Sequence, residues 1–311
     1  MKKILIIGAG GQIGSELTTH LRSIYGQHNV LAADIHSTPG EEDFVQLDAL
    51  DAAAVAQAVR ENGVDTIFNL VALLSAKGEA NPQLAWRVNM GALMNALEVA
   101  REYNCSVFTP SSIGAFGPDA PKDLTPQDTP MHPTTIYGVC KVAGELLSNY
   151  YFQRFGVDAR SVRLPGVISS QALPGGGTTD YAVEIFYAAL RGERFVCPVP
   201  HDRFMDMIYM PDVLQAMVQL MEADPERLVH RNGYNVAAMS FSPEIIAAEI
   251  KKHIPGFEMV YEIDPVKDAI SAGWPNLMDD SVARAEWGWS PQWGLAEMTA
   301  DMIETLGRRL R

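Results

Sequence analysis

Four consecutive apolar residues, Ile4 to Ile7, open a pattern in which short apolar runs alternate with longer stretches of helical periodicity. The runs Asn29 to Ala33, Phe44 to Leu47, Thr66 to Leu70, Ser106 to Thr109 and Arg160 to Leu164 have the length of buried strands. Between them, Asp51 to Glu61, Pro82 to Glu102 and Ile136 to Phe155 read as helices. In the second of these, Leu84, Val88, Leu93, Leu97 and Ala100 form an apolar stripe, and Pro82 suits a first helical turn, where its missing N–H has no partner to lose. Strands and helices in alternation predict an α/β fold, a doubly wound parallel sheet covered by helices. The regularity breaks at Ser169 into SSQALPGGGTTDYA, a glycine and proline loop, and further helices follow at Pro211 to Glu222 and Ser242 to His253. Residues 1–165 are therefore expected to form the sheet domain. Residues 166–311 are expected to form mainly a smaller lobe, with some segments returning to the sheet.

The first run leads directly into GAGGQIG, where Gly8, Gly11 and Gly14 fall three apart and Gln12 and Ile13 begin a helix. Strand, glycine turn and helix in that order predict a Rossmann dinucleotide site. The turn bends sharply, the backbone can approach a pyrophosphate, the helix packs closely on its strand, and its free N–H groups face the phosphates. The second run ends in Asp34, twenty residues beyond Gly14, where a carboxylate accepts hydrogen bonds from an adenosine ribose. Ile35 and His36 follow it, so no adjacent arginine offsets repulsion of a 2′-phosphate, and the preference expected is NAD over NADP.

Ligands of open parallel sheets sit beyond the carboxyl ends of the strands, so the strand exits hold the candidate chemistry. Ser111 and Ser112 follow the strand ending at Thr109. About one helical turn separates the phenol of Tyr137 from the ammonium of Lys141 in YGVCK, which puts both on one helix face. The positive charge favours the phenolate, a base able to take a proton from an alcohol. On their own, the serines read as a turn and the Tyr–Lys pair as solvated neighbours. The nucleotide motif on the same sheet makes the chemical reading the better one.

Composition agrees with an enzyme of the cytoplasm. The chain has 311 residues, 47% of them hydrophobic, and a net charge of −14, which argues against nucleic acid as a partner. Cys105, Cys140 and Cys197 are odd in number and scattered, so neither a disulfide framework nor a zinc site is expected, and no metal is. The apolar start is too short for a signal peptide, and no stretch approaches a membrane span.

The GxxGxxG turn, the serine after the fifth strand and YxxxK resemble the extended short-chain dehydrogenase/reductase family over nearly the whole chain. The resemblance makes Tyr137 the base, Lys141 its partner and Ser112, with Ser111 beside it, the hydroxyl that orients the substrate oxygen. It places Gln12, Ile13, Leu47, Asp48, Leu70, Ala72, Asn89 and Val167 with the glycines, Asp34, Tyr137 and Lys141 around NAD. The chain departs from the nucleotide-sugar members of that family. Gly166 in RLPGVIS stands where they have asparagine, and Met205 precedes Asp206 where they have arginine, with Arg203 two residues earlier. A smaller substrate is implied. The strings SAKGE, PSSIGAFGP, TIYGVCK, LPGVIS and GGGTTDYAVEIF look like the NAD-dependent L-threonine 3-dehydrogenase branch. That branch oxidises L-threonine to 2-amino-3-ketobutyrate. Ser75, Lys77, Thr178, Thr179 and Asp180 are then the candidates for holding the substrate, and Trp274 for closing its pocket, although the last three serve equally as helix caps or core. The alternatives are a nucleotide-sugar 4-epimerase or dehydratase, and an NAD sensor without turnover. Family members commonly pair as homodimers through the helices at Pro82 to Glu102 and Ile136 to Phe155.

Overall fold

A computed structural model describes residues 1–37, 40–171 and 175–310; Ala172 to Pro174 of the expected glycine and proline loop lie outside the described residues. The first strands are β1 (Ile4–Ile7), β2 (Val30–Asp34), β3 (Phe44–Gln46), β4 (Thr66–Asn69), β5 (Ser106–Phe108), β6 (Ser111–Ser112) and β7 (Ala159–Arg160). Six of them form one sheet in the order β3-β2-β1-β4-β5-β7, and every pair is parallel. The order reverses between β1 and β4, the place where such a sheet opens a crevice for ligands.

Helices cover both faces. On one lie α2 (Ala52–Asn62), α4 (Pro82–Tyr103) and α5 (Ile136–Phe155), which bury Val55, Leu93, Leu97 and Tyr151 against Leu5, Ile7 and Val107. On the other, α1 (Gln12–Tyr25) and α7 (Met210–Glu222) bury Leu17, Leu21, Val213 and Met217 against Ile4, Ile6, Phe68 and Phe108. β1, buried on both faces, is apolar throughout, which is why its run shows no alternation. Side-chain caps set the helix starts. Asp51 accepts from Ala54 N at 3.0 Å, Asn81 from Leu84 N at 3.1 Å and Thr135 from Gly138 N at 3.0 Å, each satisfying an orphan donor of a first turn.

Arg160 to Leu164 is not one strand, as its apolar run suggests, but two. β7 pairs with β5, whereas β8 (Val162–Leu164) pairs with β6 and with β12 (Tyr234–Asn235). Pro110 explains the break: it has no N–H to continue the ladder, so β5 stops and β6 resumes in a different sheet. Opposite it, Ser161 bonds through its backbone to Arg231 and Tyr234 instead. SAKGE is part of a short helix, α3 (Ser75–Ala80), whose Glu79 carboxylate accepts from Ile136 N at 2.7 Å and so docks it on the start of α5.

The remaining elements build a second core. A mixed sheet of β9 (Gly166–Ile168), β11 (Met205–Tyr209) and β13 (Met239–Phe241) and a parallel pair, β10 (Phe195–Cys197) with β14 (Met259–Tyr261), pack with α6 (Tyr181–Arg191), α8 (Pro243–His253), α9 (Pro265–Ala272) and α11 (Leu295–Arg309). Tyr181, Phe186, Phe241 and Met302 lie at its centre, and α10 (Ser281–Trp287) and the residues just after it return to the sheet side through Trp287 and Trp289. No described helix is long and apolar enough to cross a membrane.

Candidate active site

Gly8, at the end of β1, has φ of 90°, a conformation that favours glycine. Gly14 is closed to any side chain, because a Cβ there would lie 2.1 Å from Gly8 O. The first turn of α1 therefore lies against the strand it leaves, and its Gln12 and Ile13 line the crevice. Asp34, at the end of β2, accepts from Gly10 N at 3.0 Å through one carboxylate oxygen and from His36 N at 3.2 Å through the other. The carboxylate is fixed beside the glycine turn with lone pairs to spare for vicinal hydroxyls. This arrangement fits a dinucleotide with an unphosphorylated ribose.

Beyond the turn lies a cleft of about 320 Å³. It takes Gly8, Gly11, Gln12, Ile13 and Gly14 from the turn, Leu70, Ala72, Ser75 and Lys77 from beyond β4, and Ser111 and Ser112 from β6. Tyr137 and Lys141 come from α5, Val167 from β9, and Thr178, Thr179, Asp180 and Trp274 from the second core. Four residues expected at the cofactor are not among its walls. Asp34 is the last residue of β2, and Leu47 and Asp48 follow β3; Leu47 is buried while Asp48 accepts from Leu50 N at 2.9 Å. The Asn89 amide bonds Leu73, accepting from Leu73 N at 2.7 Å and donating to Leu73 O at 3.1 Å, so it holds the chain leaving β4.

Tyr137 is buried to 9% exposure, and its ring and the Ser112 hydroxyl both pack on Gly114. Lys141 Nζ sits 5.2 Å from the ring centroid and donates to Pro110 O at 2.6 Å, which holds the ammonium beside the phenol. Among the described residues the phenolic oxygen has no hydrogen-bond partner, so it is open to a ligand. The helix comes this close because Gly138 has no side chain; a Cβ there would lie 2.2 Å from Gly114 O.

The two serines differ in their bonds. Ser111 donates to the Glu145 carboxylate, so its single proton is committed away from the cleft. Ser112 accepts from Gly114 N at 3.1 Å and keeps its proton to donate. Glu145 itself forms a buried two-point ion pair with Arg163, at 3.0 and 2.8 Å, and Arg163 also donates to Gln127 O and Asn235 Oδ1. Nothing in the sequence pattern singles out this network, since a Glu eight residues after the tyrosine and an Arg on a later strand become neighbours only through the fold.

At the far wall, Ser75 and Thr178 share a hydrogen bond of 3.2 Å between their hydroxyls. Asp180 does not cap α6 with its side chain; instead it accepts from Gly176 N and Gly177 N, each at 2.8 Å, and so closes the glycine loop on itself. Burial pushes the Asp180 carboxyl up from its ordinary range, and the two glycine donors oppose that shift. Gly166 is closely covered, because a Cβ would lie 2.4 Å from Met207 Sδ and 2.7 Å from Thr179 Cγ2 and would have to displace both side chains. Arg203 is also taken, ion-paired with Asp268 at 2.6 Å. Among the described residues no group of three or more His, Cys, Asp or Glu side chains could hold a metal.

Residues 4–237 match the model of the NAD dependent epimerase/dehydratase family. An uncharacterized epimerase/dehydratase of Staphylococcus haemolyticus is 54% identical, over 98% of this chain and 98% of that protein. Among solved structures, the L-threonine dehydrogenase of Clostridium difficile is 50% identical, with a TM-score of 0.97 over 99% of this chain and 98% of the other. The holo form of L-threonine dehydrogenase from Cupriavidus necator is also 50% identical, with a TM-score of 0.95 over 98% and 99%.

Proposed function

We propose that this chain, which belongs to the NAD dependent epimerase/dehydratase family, oxidises L-threonine at its β-hydroxyl to 2-amino-3-ketobutyrate. Its NAD-dependent oxidoreductase character follows from that family and from its structural neighbours. The observation that carries the reading is the meeting of Tyr137, Lys141 and Ser112 in the cleft that the glycine turn enters, in a chain 50% identical along its length to threonine dehydrogenases.

Bound at the glycine turn and Asp34, NAD supplies the acceptor for the hydride that the substrate carbon loses. The chain's own residues handle the proton. Tyr137 takes it from the β-hydroxyl, and Lys141, held by Pro110 O, favours the phenolate and would also bind a cofactor ribose hydroxyl. Ser112 donates to the same oxygen and stabilises charge as it becomes a carbonyl. Ser111 supports Ser112 from the neighbouring position, bound to Glu145. Ser75, Lys77, Thr178, Thr179 and Asp180 offer hydroxyls, an ammonium and a carboxylate for the carboxylate and ammonium of an amino acid.

A nucleotide-sugar 4-epimerase or dehydratase would need room and cationic groups where this chain has the closed site at Gly166 and an Arg203 already paired. A sensor without turnover would not need the Tyr137, Lys141 and Ser112 set. Mixing the protein with NAD and L-threonine should produce NADH absorbance at 340 nm, whereas UDP-galactose should produce none and L-serine less than threonine. Absence of NADH with threonine would overturn the reading.

The same reading extends to a homodimer. Trp86 and Met94 on α4 and Val139, Leu146 and Tyr150 on α5 are large apolar side chains exposed on two adjoining helices, a face suited to a second copy. Sedimentation equilibrium is expected to give twice the chain mass of 34.0 kDa, and a monomer at micromolar concentration would rule the pairing out.

A further inference from the structure

Trp274 is the one cleft-lining residue, among the described residues, that comes from the chain beyond Asp180. It follows the end of α9, on a segment whose strand pairing among the described residues is the single bridge of Met278 with Thr125, so its placing depends on what holds the residues before that bridge. Lys122 does so at Trp274 itself. This residue lies on the connection between β6 and α5, the stretch that joins Ser112 to Tyr137. Its Nζ donates to Ala272 O at 2.9 Å and to Trp274 O at 3.1 Å. The Ala272 carbonyl ends α9 and the Trp274 carbonyl lies just past it, so an ammonium there meets the negative end of the helix dipole and an orphan acceptor of the last turn. The Lys122 backbone carbonyl then accepts from Asn276 N at 2.7 Å, and Asp123 Oδ1 accepts from Asn276 Nδ2 at 3.0 Å. A single connection thus carries the proposed proton acceptor at one end and fixes the tryptophan at its middle.

We propose that Lys122 is a positioning residue for the substrate, its ammonium holding the Trp274 turn so that the indole forms the cleft wall against the amino acid. The proposal rests on the threonine reading above for the identity of the ligand. Lys122→Met keeps the aliphatic stem and removes both hydrogen bonds. The KM for L-threonine is then expected to rise about 5- to 10-fold while kcat changes less than about twofold and the KM for NAD stays constant, the pattern of a lost ground-state contact. Lys122→Arg, which retains donors, should stay near wild type. In a Trp274→Ala background the Lys122→Met change should have little further effect, because the residue it acts through is gone.

Equal effects of Lys122→Met with and without Trp274 would overturn the proposal, as would an unchanged KM. A fall in thermal stability and in NAD affinity alongside KM, without rescue by arginine, would mark a merely structural lysine and overturn it too. Amide hydrogen exchange over residues 272–277 separates this proposal from the threonine reading, because it needs no turnover. Should the wild type leave threonine unoxidised, faster exchange there in Lys122→Met still supports the tether, and unchanged exchange refutes it.

Discussion

Tyr137→Phe is expected to lower kcat for threonine oxidation by about 10²- to 10⁴-fold, the range that a single positioned acid–base group contributes. That loss corresponds to roughly 3 to 5 kcal/mol of transition-state stabilisation. The substitution is clean here for a structural reason. The phenylalanine ring can keep the contact with Gly114 and the neighbouring ammonium of Lys141, and the oxygen removed has no hydrogen-bond partner among the described residues. Thermal stability and NAD binding should therefore remain near wild type, as the glycine turn and Asp34 are untouched. Steady-state kinetics with NAD binding by protein fluorescence quenching checks both halves. Near-wild-type kcat would remove Tyr137 from the proton transfer, and a lost cofactor affinity with unchanged chemistry would recast it as a binding residue.

How well the sequence foretold this site depended on how local each signal was. The glycine turn and the Tyr137–Lys141 pair are legible because a turn and one helical face hold each within a few residues, and Asp34 because it ends the next strand at a fixed spacing from the turn. Ser112 is legible as a strand exit. The polar far wall from Ser75 to Asp180 could be named residue by residue, but not its bonding: that Asp180 turns back to Gly176 and Gly177, rather than capping α6, depends on the loop's shape. The split at Ser161 escaped notice because apolar content does not show which strand a residue pairs with. The signal was nonetheless present in Pro110, whose missing N–H ends the neighbouring ladder. The bonds by which Asn89 holds the chain leaving β4 are not legible, because they depend on Leu73, sixteen residues earlier. Lys122 and the Glu145–Arg163 pair lay beyond reach altogether, since their partners are distant in the chain and carry no periodicity.

Arg163→Met should be the most damaging substitution for folding among those considered. Glu145 and Arg163 are each about 5% exposed, so both charges have lost most of their contact with water. Removing the arginine strands the carboxylate in the core, and breaking a buried pair in this way costs about 3 to 5 kcal/mol. That is a large share of the roughly 5 to 15 kcal/mol by which domains are stable. The loss should reach the cleft, because Ser111, adjacent to Ser112, donates to the same carboxylate. Glu145→Met added to Arg163→Met removes the stranded charge and should recover part of the stability, since an apolar pair of similar volume can replace a buried ion pair. Recovery should stop short of wild type. Gln127 O and Asn235 Oδ1, which Arg163 also serves at 2.9 and 3.0 Å, lose a donor in both variants, and buried acceptors left unpaired cost about 1 to 3 kcal/mol each. Urea unfolding of the wild type and both variants tests the order. A double variant less stable than Arg163→Met would mean that the carboxylate is not the source of the damage, and that the fold rests on Glu145 through Ser111 instead.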